Sequence, residues 1–290
     1  MSKNIKISKG LDIKLKGEPE KVLGTDTHSD TYVVKPTDFH LMTPKMLLKE
    51  GAKVKAGTPI FFDKDRDSIK VTSPVSGEII EIKRGDKRKI LEVVIKADTG
   101  EMSYESFKIA KPSDLSREEV KETLLNSGCW PYIKQRPIDI VANPTDLPKS
   151  IFVSAFDSSP LAPDYDFVVH NHPKEFQAGI DALAKLTDGK VHLNIRGDVR
   201  QSSSFTDCKN VQINKVSGAH PAGNVGVQMH HIDPINSGEM VWYANAQDVM
   251  TIGRLFMLGK YDASKVIAVT GPKAKNPKYQ KVLSGASLKS

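Results

Sequence analysis

Apolar and polar residues alternate from the start of the chain. Ile5 and Ile7, then Leu11, Ile13 and Leu15, recur at every second position, the period of half-buried strands. Gly10 and the stretch 17–19 punctuate them. Short β-type segments continue to about residue 97, including 79–82 and 91–95. Gly57, Pro59, Pro74, Gly77 and Gly85 supply the turns. Residues 1 to about 100 therefore read as all-β.

The period then changes. Ser116 precedes REEVKETLLNSG, which predicts a capped helix with Val120, Leu124 and Leu125 on its apolar side and Gly128 at its end. A connector rich in proline follows, with Pro131, Pro137, Pro144 and Pro148. Beyond it, strands and helices alternate. Strands are predicted at 150–156, 167–170, 191–195, 211–213, 239–244 and 266–272. One helix starts at Pro173 with Phe176, Ile180 and Leu183 aligned; another spans 246–259 with Val249, Ile252 and Phe256 aligned. The alternation predicts a Rossmann-like α/β domain with a mostly parallel sheet. The expected fold class is thus α/β plus all-β: a β-rich region over 1–102, a helix and connector over 103–149, the α/β domain over 150–272, and a basic linker from 273.

A chain of 290 residues is long enough for about two domains with separate cores. No apolar run approaches the roughly 20 residues of a membrane-spanning helix. The start, MSKNIKISKG, lacks the apolar centre of a signal peptide, so a soluble cytoplasmic chain is expected. Cys129 and Cys208 are far apart and outside any CxxC pair, which argues against a zinc ribbon or an iron–sulfur cluster; both are expected to be buried, inert thiols. The net charge of +7 concentrates at 83–89 (KRGDKRK) and 273–278. No aromatic residues interleave with these runs, which excludes a nucleic-acid groove; a solvated face, or attraction to an anionic membrane or acidic partner, remains.

Two segments, KEGAKVKAGTPIF (49–61) and VTSPVSGEIIEI (71–82), resemble the halves of a biotinyl/lipoyl-type hammerhead. In such carriers a lysine at the hairpin tip is acylated. Counting back from Pro74 places Arg66 at that position, with Lys64 out of register. A guanidinium stays protonated and is no nucleophile, so a structural module is expected.

The stretch GAHPAGNVGVQMHHIDP (218–234) is the most unusual. Its glycines would let backbone amides approach a phosphate. Gly218 and Gly223 have P-loop spacing, but Asn224-Val225 replace the Lys-Ser/Thr, which argues against NTP hydrolysis. His220, Asn224, His230 and His231 are candidate hydrogen-bond donors for a quinone or partner. His170 and His172 are placed on one face of a strand, and no spacing points to a metal or a catalytic residue. Trp242 and Tyr243 are predicted to face opposite sides of a strand.

These motifs, with KGLDIKLKGEPEKV, LLNSGCWPYIKQRPIDIVANP, SIFVSAFDSSPLAPD and VWYANAQDVMTIGRLFMLG, resemble the A subunits of the bacterial Na⁺-translocating NADH:quinone reductases. The resemblance implies a peripheral subunit on the cytoplasmic face of the inner membrane, docked on the membrane-embedded B subunit and linked to ubiquinone. Flavins and iron–sulfur centres would sit on partner subunits, with no cofactor bound by this chain. It also implies that GASLKS (285–290) opens a truncated SLBB-like domain. The wider fold resembles the NADH- and FMN-binding subunit of respiratory complex I and the C subunit of the Rnf complex. Their GxGGxGFP loop is replaced here by NSGCWP (126–131), which speaks against FMN or NADH binding. The alternatives are a stand-alone nucleotide-dependent oxidoreductase, opposed by the missing glycine fingerprints, and an acyl carrier, opposed by Arg66.

Overall fold

The structure, a computed structural model, describes residues 2–26 and 28–288. In chain order, β1 (Asn4–Lys6) and β2 (Glu20–Leu23) precede seven strands. These are β3 (Thr31–Val34), β4 (Pro44–Met46), β5 (Lys53–Val54), β6 (Pro59–Asp63), β7 (Arg66–Thr72), β8 (Gly77–Arg84) and β9 (Ile90–Ala97). Next come α1 (Arg117–Ser127), β10 (Lys134–Arg136), β11 (Ile140–Val141), β12 (Ser150–Ser154), α2 (Tyr165–Val169), α3 (Pro173–Lys185) and β13 (Lys190–Arg196). The chain continues through α4 (Ser203–Thr206), β14 (Gln212–Ser217), α5 (Val225–Ile232), β15 (Val241–Asn245), α6 (Ala246–Leu258), β16 (Ser264–Val269) and β17 (Lys278–Leu283).

Two small sheets, β3-β9-β8-β5 and β4-β6-β7, form the hammerhead and share a core that includes Ile60, Ile69, Ile79, Val93 and Ile95. The α/β part is built on one sheet of order β1-β14-β13-β12-β15-β10-β11. It is mixed: β1, β14, β13, β12 and β15 pair in parallel, while β10 runs antiparallel to both β15 and β11. Strand alternation divides its core. Ile151, Val153, Trp242 and Ala244 join the cluster of α3 and α6, whereas Phe152, Val241 and Tyr243 face α5. Trp242 and Tyr243 thus point to opposite faces, as their adjacency dictates.

Helix α1 begins as its sequence requires. Ser116 Oγ accepts from the Glu119 amide, Glu119 caps the Ser116 amide in return, and Gly128 ends the helix in the left-handed region at φ 76°. Helices α3 and α6 cross in close contact through glycines. A Cβ on Gly253 would lie 1.7 Å from the Glu175 carbonyl oxygen, and one on Gly179 2.0 Å from that of Val249.

Several expectations are corrected. Residues 167–170 are not a strand: Phe167 lies in α2 and His170 caps it. Asp164 nucleates that helix by accepting from the Asp166 and Phe167 amides at 2.9 and 3.3 Å. A short apolar run reads equally as strand or buried helix, and the cap decides. The strand at 264–269 does not extend the large sheet. The place beside β15 is taken by β10, with Gln135 opposite Trp242, and β16 instead pairs antiparallel with β17. Two N-terminal strands pair outside the small sheets: β1 joins the large sheet and β2 joins β17. The alternating stretch at 11–15 forms no strand, and its leucines and isoleucine are exposed. Cys129 is buried, but Cys208 is only half-buried. Of the expected SLBB-like opening, Lys289 and Ser290 lie outside the described residues.

Candidate functional site

Three places carry the chemistry the sequence raised. The first is the hammerhead tip. The turn between β6 and β7 is Lys64-Asp65, and Arg66 opens β7 rather than standing at the tip. Irregular register between these strands shifts the tip from the position that counting gave. Lys64 is exposed; Arg66 is folded back. Arg66 Nε donates to Asp63 Oδ2 at 2.8 Å, and its Nη1 donates to the Val141 carbonyl at 2.6 Å. The tip is therefore tied to β11 instead of swinging free.

The second place is the segment 126–131. Cys129 and Trp130 are fully buried. Trp130 Nε1 donates to the Ala142 carbonyl at 2.7 Å, and its ring meets Trp242 edge-on at 5.5 Å. Gly128 lies against Thr72, where a Cβ would come within 2.2 Å of Oγ1. The Trp130 indole thus fills the interior of this segment against Trp242. Burial pushes the Cys129 thiol up to about 12, which keeps it protonated and unreactive. Burial does the same to Cys208, also to about 12.

The third place is a cavity of about 580 Å³ at the carboxyl ends of β12 and β15, beside the start of α5. Open α/β sheets bind ligands at this edge. Phe156, Tyr165, Val225 and Val227 give it apolar walls; Arg136, Ser154, Asn224, Asn245 and Asp157 give it polar ones. Arg136 lies over the Tyr243 ring, 5.4 Å from its centroid, and its buried Nε has no hydrogen-bond partner among the described residues. Tyr243 Oη donates to Asp139 Oδ1 at 2.6 Å. Burial, then the Asp139 carboxylate, raises the Tyr243 phenol, and burial raises Tyr165 to about 12, so both hydroxyls stay protonated at neutral pH.

The four residues singled out in the 218–234 stretch do not converge. Asn224 lines the cavity at the N-terminus of α5. His220 stands behind it: its Nδ1 shares a 3.0 Å hydrogen bond with Ser158 Oγ, which accepts from the Gly223 amide at 2.8 Å. His230 and His231 are exposed in the last turn of α5, about 9 Å along the axis from Asn224. His170 and His172 sit at the end of α2 and the start of α3. Among the described residues no group of three His, Cys, Asp or Glu is placed to hold a metal ion.

A buried amide network positions the cavity wall, and sequence reasoning missed it. Gln228 on α5 donates to Ser154 Oγ and to the Ala222 carbonyl, both at 3.1 Å. Its Oε1 accepts from Asn194 at 2.9 Å, and Asn194 Oδ1 accepts from Asn214 at 2.9 Å. The signal was in the strands: VHLNI and QIN place polar residues at every second position of otherwise apolar strands. Arg136 was missed too, hidden in the connector.

The two parts of the chain also match known families. Residues 5–98 match the NqrA N-terminal barrel-sandwich hybrid domain, and residues 115–261 match the NqrA second alpha/beta domain. The chain belongs to the NqrA family. It is 38% identical over 284 residues to the A subunit of the Na(+)-translocating NADH-quinone reductase of Marinomonas sp., covering 98% of this chain and 63% of that protein. The same subunits of Alcanivorax borkumensis and Glaesserella parasuis are 38% and 35% identical, with 98% of this chain and 63% and 64% of theirs covered. The chain thus spans a little under two thirds of these NqrA relatives. An NAD+-reducing [NiFe]-hydrogenase aligns with 60% of this chain and 37% of its own at TM-score 0.43 and 12% identity, too faint a likeness to carry an argument.

Proposed function

We propose that this chain is part of the A subunit of a Na⁺-translocating NADH:quinone reductase, and acts there as a peripheral docking subunit with no redox centre of its own. The tandem match of both NqrA domains carries this reading. No described helix is long and apolar enough to cross a membrane, which fits a protein held by others. In this proposal the α/β part is of Rossmann-like type. It docks on the membrane-embedded B subunit at the cytoplasmic face of the bacterial inner membrane, and flavins and iron–sulfur centres lie on partner subunits. The clasped hammerhead tip and the indole-filled segment 126–131 support the absence of a carrier arm and of a flavin phosphate site here.

The quinone step gives the cavity a use. A quinone head needs apolar walls and one or two donors for its carbonyl oxygens. Phe156, Tyr165, Val225 and Val227 suit the ring; Arg136, Asn245 and the first amides of α5 are the donors within reach of the same cavity. Asn224 remains a candidate on this reading, His220 becomes a positioning residue, and His230 and His231 face away, toward a partner. Affinity purification of the full-length protein from membranes tests the reading. It predicts recovery with membrane subunits and Na⁺-dependent quinone reduction by NADH; a homogeneous soluble enzyme active alone would refute it.

A further inference from the structure

Leu11, Ile13 and Leu15 are 71%, 58% and 51% exposed, although their spacing is that of a strand with one buried side. The segment is nevertheless held in place at both ends. The Leu11 amide donates to the His220 carbonyl at 2.9 Å, and the Gly271 amide donates to the Gly17 carbonyl at 3.0 Å. Gly10 packs so tightly on His220 that a Cβ would lie 2.2 Å from its carbonyl oxygen. Between these anchors, among the described residues, the backbone groups of 12–16 make no hydrogen bond. The segment runs on from β1, the outer strand of the seven-stranded sheet.

We infer that residues 11–16 are a docking edge that accepts an extended segment of a partner chain, alternating aliphatic and acidic residues, by strand addition. Free backbone groups supply the hydrogen bonds and the aliphatic residues supply the side-chain contacts. Charge selects the partner: residues 3–18 carry five lysines against Asp12 and Glu18. A depression of about 230 Å³ beside Lys14 and Leu15, walled by Pro160 and Arg196, seats one side chain of the incoming strand. A second copy of this edge would set lysine against lysine. A bilayer would cover the leucines but strand the unpaired backbone groups in an apolar medium.

This inference rests on the proposal that the chain works inside an assembly. Hydrogen exchange is compared between the full-length protein in isolation and the purified assembly. Amides 12–16 are expected to exchange at least about tenfold more slowly in the assembly. A photo-crosslinking residue at Ile13 should capture a partner peptide that alternates aliphatic and acidic residues. Ile13→Asp should lower incorporation about tenfold, the scale of one lost anchor, with the unfolding midpoint of the isolated protein unchanged. An intact assembly with unprotected amides, or crosslinks confined to lipid or a second copy, overturns the inference alone. Failure to recover any assembly sinks it together with the proposed function.

Discussion

Asp63 and Arg66 flank the β6–β7 turn and clasp across it, with Arg66 Nη2 and Nε 2.6 and 2.8 Å from Asp63 Oδ2. The Asp63 side chain is 1% exposed and that of Arg66 17%. Asp63 also accepts from the Thr43 amide at 3.2 Å, so its charge is buried against several donors. Removing the guanidinium would leave that carboxylate uncompensated. Arg66→Ala is predicted to destabilise the chain by about 3 kcal/mol, and Arg66→Lys, which loses the forked contact, by less. Urea unfolding of the three proteins checks this. Because the clasp also binds the tip to Val141, an enzyme that must surround the hairpin is denied access to Lys64. Intact mass of natively expressed protein is predicted to show no lipoyl or biotinyl adduct.

Two helical glycines lead to opposite predictions. At the α3–α6 crossing, Gly253→Ala places a methyl group against the Glu175 backbone and is predicted to destabilise by about 1–3 kcal/mol, against alanine's better helix propensity. On α5, a Cβ added at Gly226 would meet nothing within 4 Å, so Gly226→Ala is predicted to stabilise by about 0.5–1 kcal/mol. Thermal unfolding distinguishes the signs.

His192 makes stability depend on pH. It is 4% exposed and stacked on Phe152, and burial lowers its pKa from 6.5 to about 4. The folded chain therefore keeps it neutral between these values, while the unfolded chain binds a proton. Stability from this group is complete above pH 6.5 and is lost as pH falls toward 4, by about 3 kcal/mol in all. Unfolding free energies at pH 7 and pH 5 should differ less in His192→Gln than in the parent chain.

Much of the architecture was legible because it rests on short-range rules. The capping box at Ser116, the aligned faces of α3 and α6, and the opposed Trp242 and Tyr243 follow from local spacing alone. What failed needed tertiary information. Whether 167–170 became strand or helix depended on the Asp164 cap. Whether 264–269 extended the parallel sheet depended on a strand from the distant connector, 134–136, which occupies the place beside β15. The cavity was half legible. Its glycine-rich approach stands out in sequence, but Arg136 and the Asn194–Asn214–Gln228 network come from separated segments. The histidine pair lies in the last turn of α5, away from the cavity lining, a separation that shows only once the helix is placed.

Arg136 sets the affinity prediction. Losing a charged donor costs about 1.5–3 kcal/mol, so Arg136→Ala is predicted to weaken binding of a quinone analogue roughly 10- to 100-fold. The double change His230→Ala, His231→Ala should leave that affinity unchanged. Equilibrium titration of the purified assembly reads both.

The most direct test of a quinone-linked role is photolabelling of the assembled complex with an azidoquinone, followed by peptide mapping. Adducts are predicted at the cavity, on Phe156, Tyr165, Val225 or Tyr243, and they should disappear when unlabelled quinone is present. Labelling of this chain confined to residues remote from that cavity would contradict a quinone site there.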